Sequence, residues 1–321
     1  MMNLSMMKNF LEADSSPINS VLEKWGYDQD SVSFFRASSN FIYTFKRNDK
    51  KYILRLTPEG NPDLVEKELS FLTFLTEQQV NVNLPIPSLN GNIIETIQCP
   101  LGVFYAVVFN YLEGTLFDID EIEESHYFLW GEALGNLHHY SQAYSQSQFH
   151  SDKHTIQGLV TKAEQFLSSS EVFACKELEV LKSWMNDLPI NKQNYGLIHF
   201  DFELDNLIWS GEKVQIIDFE SSVYGWFSAD IAFALRDLFP TEIDLSNPLL
   251  QLFLKGYRTK KEITDSELLD LPMFLRLHNL ITFTGLLKTL DIKSNTSNPE
   301  WVEGLIKKLN TKIENYRNSF S

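Results

Sequence analysis

LIHFDFELDNLIWSGEKVQIIDFES, residues 197–221, is the stretch that decides the fold and the chemistry of this chain. Apolar residues there separate three oxygen-bearing side chains, which are Asp201, Asn206 and Asp218. Asp218 follows the run 214–217 (VQII), which predicts a buried strand. A carboxylate at the end of a buried strand costs solvation free energy unless it is paired or binds a cation. The pattern therefore predicts a partner or a metal ion for Asp218.

Phosphoryl transfer requires residues of these types. The transferred group carries charge on three oxygens, so catalysis consists mostly of positioning and of charge supplied by metal ions. Mg²⁺ prefers oxygen ligands, usually one or two carboxylates together with substrate phosphates. Asp218 would supply the carboxylate and Asn206 an amide oxygen. Asp201 would accept the proton from an acceptor hydroxyl, or orient that hydroxyl.

The spacing of His199, Asp201, Asn206 and the strand-end Asp218 resembles the catalytic and metal-binding loops of a known family. That family is the aminoglycoside phosphotransferase / choline kinase family of kinase-like small-molecule phosphotransferases, which includes homoserine-kinase-type members. The resemblance covers nearly the whole chain and implies ATP and Mg²⁺ as cofactors. It implies Asp201 as the catalytic base and Asn206 and Asp218 as the metal ligands. His199 is expected to be structural, because it precedes the base and can hydrogen-bond the loop.

Further matches to this family lie nearer the N-terminus. The run 52–55 (YILR) resembles the strand whose basic residue contacts the α- and β-phosphates, and Glu68 resembles the acid that pairs with that base. The run 109–114 (FNYLEG) resembles the hinge that borders the adenine. The nucleotide-binding residues implied by the resemblance are Ser38, Ser39, Asn40, Arg55, Glu68, Asn110 and Leu112.

The chain also departs from the family pattern. Phe200 stands where the family usually has glycine, and the phosphate loop 38–40 contains no glycine. Position 55 is Arg rather than the Lys of protein kinases, although a guanidinium can still meet phosphate. Glu203 and Asp205 stand where many relatives have His and Gly. These two acids add negative charge beside the catalytic loop, so the substrate preference can differ.

The first hundred residues read mostly as strands. Runs 41–46 and 51–56 are β-branched or aromatic, and the turn residues 47–50 between them predict a hairpin. A helix is expected from Pro62 to about residue 79, with Leu64 on its apolar stripe. After residue 119 the chain is mostly helical, with a β interlude that contains short strands at 196–198, 207–209 and 214–217.

These patterns predict an α+β, protein-kinase-like fold with two lobes. Residues 1–110 would form a small β-rich nucleotide-binding lobe. Residues 111–321 would form a larger, mainly helical lobe for catalysis and acceptor binding. The segment at Asp230 resembles the helix that follows the metal loop in the family, where the Asp is structural; we expect it to be an N-cap.

Composition excludes several classes of function. A net charge of −16 disfavours binding to nucleic acid and to anionic membrane surfaces, because proteins that bind phosphate groups are rich in Lys and Arg. No run approaches about 18 uninterrupted apolar residues, and the N-terminus lacks a signal-peptide pattern. We therefore expect neither a membrane-spanning segment nor a membrane partner. Cys99 and Cys175 lie apart from each other and from any His cluster, which disfavours zinc and fits a reducing cytoplasm.

Three functions compete. The first is a kinase that phosphorylates a small-molecule hydroxyl on an amino alcohol, amino acid, sugar or aminoglycoside; acids at Glu203, Asp205 and Glu220 would suit a cationic amine. The second is a protein Ser/Thr kinase, disfavoured because the helix with Asp230 follows shortly after Asp218 without an APE-like segment. The third is a silent nucleotide-binding scaffold, disfavoured by the complete set of catalytic residues. The acceptor, the choice between ATP and GTP, the number of metal ions and the oligomeric state stay open.

Overall fold

The computed structural model describes residues 2–13, 16–58, 62–144 and 154–320 of the chain. The chain forms two compact units. The first comprises Met1–Leu69, Asn83–Leu112 and Gly285–Glu314, and the second comprises Ser70–Val82, Glu113–Thr284 and Asn315–Ser321. The boundary between residues 110 and 111 that the sequence suggested stays a prediction.

An antiparallel sheet dominates the first unit. Within the described residues its strands are β1 (Ser33–Ala37), β2 (Phe41–Arg47), β3 (Lys50–Pro58), β4 (Pro85–Ile86), β5 (Glu95–Cys99) and β6 (Gly102–Asn110). The strand order is β1-β2-β3-β6-β4, and β5 also pairs with β6. The helices of the N-terminal part are α1 (Leu4–Glu12), α2 (Ser16–Leu22) and α3 (Pro62–Glu77).

The predicted hairpin is confirmed as β2 and β3, which pair from Phe41↔Leu56 to Arg47↔Lys50. The two turn residues, Asn48 and Asp49, have φ angles of 50° and 62°. Asn and Asp tolerate this left-handed conformation better than most residues, and a tight hairpin turn requires it. The Asp28 carboxylate accepts hydrogen bonds from both backbone N–H groups at 3.0 Å, which holds the turn in place.

The core of the first unit forms on one face of this sheet. Phe41, Leu54 and Phe104 are almost fully buried, and the ring of Phe10 from α1 stacks on Phe41 with centroids 3.8 Å apart. Helix α3 confirms the predicted helix, although Leu64 is 39% exposed and lies off the buried stripe that was expected to include it. Burial of aromatic side chains therefore fixes α1 on the sheet.

From residue 113 onward the chain is mainly helical. Its helices are α4 (Glu124–Ala143), α5 (Ile156–Phe166), α6 (Val172–Asn186), α7 (Phe227–Ala234), α8 (Pro248–Tyr257), α9 (Asp265–Leu268), α10 (Leu271–Thr289) and α11 (Glu300–Ser319). The β interlude is present as β7 (Tyr195–Ile198), β8 (Leu207–Ser210), β9 (Lys213–Ile216) and β10 (Val223–Trp226). β7 pairs with β10, and β8 pairs with β9. The α+β prediction is confirmed. None of the helices in the described part of the chain has the length and apolar character to cross a bilayer.

Helices α4 and α8 of the second unit cross at glycines. A Cβ added to Gly131 would overlap the carbonyl oxygen of Phe253, and one added to Gly256 would overlap that of Phe128. At Gly135 an added Cβ would lie 2.5 Å from the carbonyl oxygen of Tyr257. The two backbones are therefore in direct contact, and no side chain fits between them.

We expect Gly131→Ala to lower the free energy of unfolding by about 3 kcal/mol, because the added methyl group meets rigid backbone. Urea unfolding measures the effect. Gly304→Ala is the matched control, since Gly304 is exposed on α11 with nothing within 4 Å of an added Cβ. There the substitution should raise stability by about 0.5–1 kcal/mol. An unchanged stability of Gly131→Ala would contradict the backbone contact.

Candidate functional site

The loop that carries Asp201 begins where β7 ends. All four residues of β7 are buried, and the strand pairs with β10 along its whole length. The loop then runs through His199, Phe200 and Asp201 to a short 3₁₀ turn, Leu204–Asn206, which leads into β8. A strand thus fixes each end of this loop (residues 199–206), which is the candidate catalytic loop.

The buried carboxylate of Asp230 anchors the start of the catalytic loop. Its Oδ2 accepts the backbone N–H of His199 at 2.8 Å, and its Oδ1 accepts that of Phe200 at 2.8 Å. The expectation that Asp230 caps a helix is wrong, because Trp226 holds the N-cap position of α7 and Asp230 lies inside the helix. The expectation that it is structural agrees with these contacts.

Two further buried side chains, His138 and Tyr257, support the carboxylate of Asp230. Nε2 of His138 donates to Asp230 Oδ2 at 3.0 Å, and the hydroxyl of Tyr257 lies 2.9 Å from Nδ1 of the same ring. Burial lowers the pKa of His138, although Asp230 opposes the shift. Burial also raises the pKa of Tyr257, which keeps its hydroxyl protonated and able to donate. Helices α4 and α8 thereby hold the carboxylate that holds the loop.

Phe200 adopts the left-handed conformation, with φ at 71°. This conformation costs roughly 1–2 kcal/mol for a residue with a Cβ, which explains why a glycine would suit the position. The ring of Phe200 packs against Phe233 and His278, with centroids 5.1 and 5.9 Å away. Contacts of the ring and the two anchored N–H groups therefore offset the backbone strain.

The side chain of Asp201 is held on both oxygens. Oδ1 accepts Nη2 of Arg236 at 2.8 Å, and Oδ2 accepts Nδ2 of Asn206 at 3.2 Å. Burial raises the pKa of Asp201, but Arg236 and the neighbouring His199 outweigh burial, so the pKa lies below its ordinary value. The group is therefore an oriented carboxylate at neutral pH.

The hairpin of β8 and β9 brings Asn206 next to the segment that ends in Asp218. Asn206 precedes β8, and the N–H of Ile217 donates to the carbonyl oxygen of Asn206 at 3.0 Å. On its other side Ile217 accepts a hydrogen bond from Nε2 of buried His199 at 3.0 Å. Asp218 follows this strand in the left-handed conformation, with φ at 66°. Asp201, Asn206 and Ile217, which is the start of the Asp218 turn, therefore form one hydrogen-bonded cluster.

The donor set of this cluster suits a hard divalent cation. Nδ2 of Asn206 makes both of its contacts with Asp201, so its amide oxygen faces elsewhere and remains the acceptor atom. A carboxylate at Asp218 and an amide oxygen are ligands that Mg²⁺ accepts beside substrate phosphates. Across the described ranges, no group of three or more His, Cys, Asp or Glu residues lies together in an arrangement that could hold a metal ion by itself.

Sequence reasoning missed Arg236. It lies just beyond α7, and its Nη2 contacts both Asp201 and Glu203. A single basic residue in the otherwise apolar run 231–236 (IAFALR) was the available signal.

Burial lowers the pKa of His278 to about 3, so this neighbour of Phe200 is neutral. Asp205 is exposed, in contrast to Glu203.

The first unit contains the predicted nucleotide residues. Arg55 on β3 and Glu68 on α3 are buried and form a bidentate ion pair with both N···O distances at 2.7 Å. Such fork geometry fixes the guanidinium. Its carbon also lies 5.3 Å from the ring centroid of Phe109. The predicted pairing of Arg55 with Glu68 is thus present in the structure.

The other predicted nucleotide residues lie in two loops of the first unit. Ser38, Ser39 and Asn40 connect β1 to β2, where the Ser38 N–H donates to the carbonyl oxygen of Asn40 at 3.2 Å. Ser38 is exposed and Asn40 is buried. Asn110 ends β6, and its carbonyl oxygen accepts Nδ2 of Asn83 at 2.8 Å. Leu112 follows in the segment after β6. Their nucleotide contacts stay predictions.

Comparison with known proteins identifies relatives. A model described as the phosphotransferase enzyme family matches residues 33–264. The amicoumacin kinase of Bacillus subtilis (strain 168) is 25% identical over 283 residues, and the match covers 84% of this chain and 84% of the relative.

Solved structures resemble the fold. The amicoumacin kinase hAmiN in complex with AMP-PNP, Ca²⁺ and Ami aligns with a TM-score of 0.76 at 19% identity, over 94% of this chain and 93% of the other. A microcompartment-associated aminopropanol kinase aligns with a TM-score of 0.71 at 19% identity, over 96% and 95% of the two chains. These likenesses confirm the predicted kinase-like fold class.

The strain at Phe200 is testable by comparing two truncations. Both Phe200→Gly and Phe200→Ala remove the ring, but only Ala keeps a Cβ in the left-handed conformation. Phe200→Gly should therefore be more stable than Phe200→Ala by about 1 kcal/mol in urea unfolding.

Phe202 serves as the control, because it is buried in the same loop and its φ is not positive. There the order should reverse, with Ala more stable than Gly by about 0.5–1 kcal/mol. Equal stabilities at position 200 would show that the loop relaxes once the ring is removed.

Proposed function

The chain belongs to the phosphotransferase enzyme family, and from this premise we propose that it transfers the γ-phosphate of ATP to a hydroxyl of a small molecule, with Mg²⁺. The observation that carries the proposal is the cluster in which Asp201, Asn206 and the start of the Asp218 turn are joined by hydrogen bonds. Phosphoryl transfer needs little covalent chemistry from a protein and much positioning. The cluster supplies positioned oxygen atoms of the required kinds.

Asp201 is the proposed catalytic base. Its carboxylate accepts a hydrogen bond from the acceptor hydroxyl and aims that oxygen at the γ-phosphorus. As the new O–P bond forms and the bond to the bridging oxygen of ADP breaks, the hydroxyl proton passes to Asp201. A low pKa suits this role, because the acceptor loses its proton late in a loose transition state.

Asn206 and Asp218 are the proposed metal ligands, through the amide oxygen and the carboxylate. The Mg²⁺ ion, when bound, supplies positive charge that offsets the charge on the phosphate oxygens. The fixed orientation of the Asn206 amide favours this assignment, because its nitrogen is already committed to Asp201. Nε2 of His199 holds the carbonyl oxygen of Ile217, the residue before Asp218.

The first unit supplies the proposed nucleotide contacts. Arg55, held by Glu68, would meet the α- and β-phosphates. The loop of Ser38, Ser39 and Asn40 would offer backbone N–H groups to phosphate. Asn110 and Leu112 would border the adenine. These roles rest on the resemblance and on the buried ion pair of Arg55 with Glu68.

The proposed acceptor is an alcohol that also carries an amine. Two relatives are an amicoumacin kinase and an aminopropanol kinase by name. Glu203, Asp205 and Glu220 add acidic groups around the catalytic loop, and the net charge of −16 favours approach of a cation. We place the enzyme in the cytoplasm, where ATP is available and free cysteines stay reduced.

An ADP-release assay tests the proposal with MgATP and a panel of 1-amino-2-propanol, choline, homoserine, aminoglycosides and amicoumacin. At least one amine-bearing alcohol should stimulate ADP release, and Asp201→Asn should lower its kcat by about 10²–10⁴-fold. Asp244→Asn is the control, because Asp244 is exposed and its carboxylate accepts hydrogen bonds from the N–H and the hydroxyl of Ser246. Asp201→Asn should bind MgADP as the wild type does. Full activity of Asp201→Asn would refute its role as base.

Metal dependence gives a separate test. EDTA should abolish transfer, and Asp218→Asn should raise the Mg²⁺ concentration needed for half-maximal rate by roughly tenfold or more, because a charged ligand is lost. A Mg²⁺ titration at fixed ATP measures the change. An unaltered Mg²⁺ requirement in Asp218→Asn would exclude Asp218 as a ligand.

A further inference from the structure

One guanidinium nitrogen is shared by two carboxylates of the catalytic loop. Nη2 of Arg236 donates to Oδ1 of Asp201 at 2.8 Å and contacts Oε2 of Glu203. The two acids lie two positions apart in the loop, and Arg236 is 35 residues beyond Asp201 in sequence. A cation from a different element therefore connects the proposed base to the neighbouring acid Glu203.

Arg236 is itself fixed to its own helix. Its Nη1 donates to the carbonyl oxygen of Phe233 at 3.0 Å, in the last turn of α7. A cation at a helix C-terminus is favoured by the helix dipole. The guanidinium therefore has a firm support on one side and presents Nη2 to the loop on the other.

The two oxygens of Asp201 are held by different elements. Asn206, at the start of β8, holds Oδ2, and Arg236, beyond α7, holds Oδ1. Contacts on both oxygens fix the rotation of the carboxylate plane about its Cβ–Cγ bond. Misplacement of a reacting group by about 1 Å can cost about 10²-fold in rate, so this rotation matters for transfer.

Glu203 gives Arg236 a third contact, in addition to those with Asp201 and Phe233. Its own backbone carbonyl accepts the N–H of Asn206 at 3.0 Å, so the position of Glu203 is set by the 3₁₀ turn. Among the described residues, Arg236 donates hydrogen bonds to the carboxylates of Glu203 and Asp201, so loss of Glu203 would leave it the hydrogen bonds to Asp201 and to the carbonyl oxygen of Phe233.

We propose that Arg236 and Glu203 are positioning residues, which together hold the Asp201 carboxylate in the orientation required for phosphoryl transfer. The proposal rests on the proposed function of Asp201. It assigns Glu203 to Arg236 rather than to the amine of the acceptor.

A purely structural ion pair would behave differently. The side chains of Arg236, Glu203 and Asp201 are 16%, 21% and 34% exposed, so the cluster is mostly buried. Removing one partner of a buried pair leaves an uncompensated charge and lowers stability, so a lower melting temperature is expected whether or not these residues position Asp201. The readout that distinguishes positioning is a loss of kcat, with the KM for ATP retained, in variants that stay folded at the assay temperature.

The test compares Arg236→Gln, Glu203→Gln and the double variant with the wild type, by ADP release with 1-amino-2-propanol and with water alone as the acceptor. We expect Arg236→Gln to lower kcat by about 30–100-fold with the KM for ATP within about twofold. Glu203→Gln should lower kcat by about fivefold or more. The double variant should be no slower than Arg236→Gln alone, because residues that act through one contact are not additive.

Two further variants separate positioning from folding. Guanidinium chloride should restore part of the kcat of Arg236→Ala, whereas the same concentration of sodium chloride should not. Arg276→Gln is the matched control, because Arg276 forms a bidentate pair with Glu177 on α6 and should leave kcat unchanged. If Arg236→Gln fails to fold, Glu203→Gln, which keeps its size, decides alone.

The outcomes are distinct. Wild-type kcat in Arg236→Gln, or losses that multiply in the double variant, would overturn the positioning role while leaving the kinase function intact. A higher KM for 1-amino-2-propanol in Glu203→Gln, with kcat unchanged, would assign Glu203 to the acceptor instead. A wild-type protein that binds MgATP but releases no ADP with any acceptor would overturn both proposals.

Discussion

A carboxylate that water cannot reach holds the catalytic loop in place. Asp230 is fully buried, and burying a lone charge would cost several kcal/mol. Three donors compensate it, namely the N–H groups of His199 and Phe200 and the imidazole of His138. Those N–H groups point toward the buried carboxylate, the chain turns at Phe200 with φ at 71°, and the next side chain, Asp201, is 34% exposed. The partly exposed proposed base thus directly follows the residues that its buried anchor holds.

The same loop is tied to the segment that supplies the proposed metal carboxylate. His199 donates to the carbonyl oxygen of Ile217, and the carbonyl oxygen of Asn206 accepts the N–H of Ile217. Both backbone polar groups of Ile217 are therefore hydrogen-bonded to the loop. The proposed base and the proposed metal ligand therefore belong to one hydrogen-bonded unit. In phosphoryl transfer, where positioning is most of the catalysis, such mutual restraint matters more than the strength of any single contact.

Local patterns predicted much of this, and long-range contacts account for the remainder. The hairpin of β2 and β3 follows from turn chemistry, and the spacing of Asp201, Asn206 and Asp218 follows from one continuous segment. Arg236 could not be found in this way, because its partners lie 33 and 35 residues earlier and only the fold brings them together. The inward reach of Asp230 was hidden for the same reason.

The left-handed turns at Phe200 and Asp218 limit what can be transplanted. Phe200 is held by partners outside the segment 197–221, which are the carboxylate of Asp230 and the rings of Phe233 and His278. A synthetic peptide of that segment, or its insertion into an unrelated scaffold, would relax to ordinary backbone angles and lose the arrangement of its acids. The segment carries the residues proposed for the chemistry, but its conformation depends on contacts with residues that are distant in sequence.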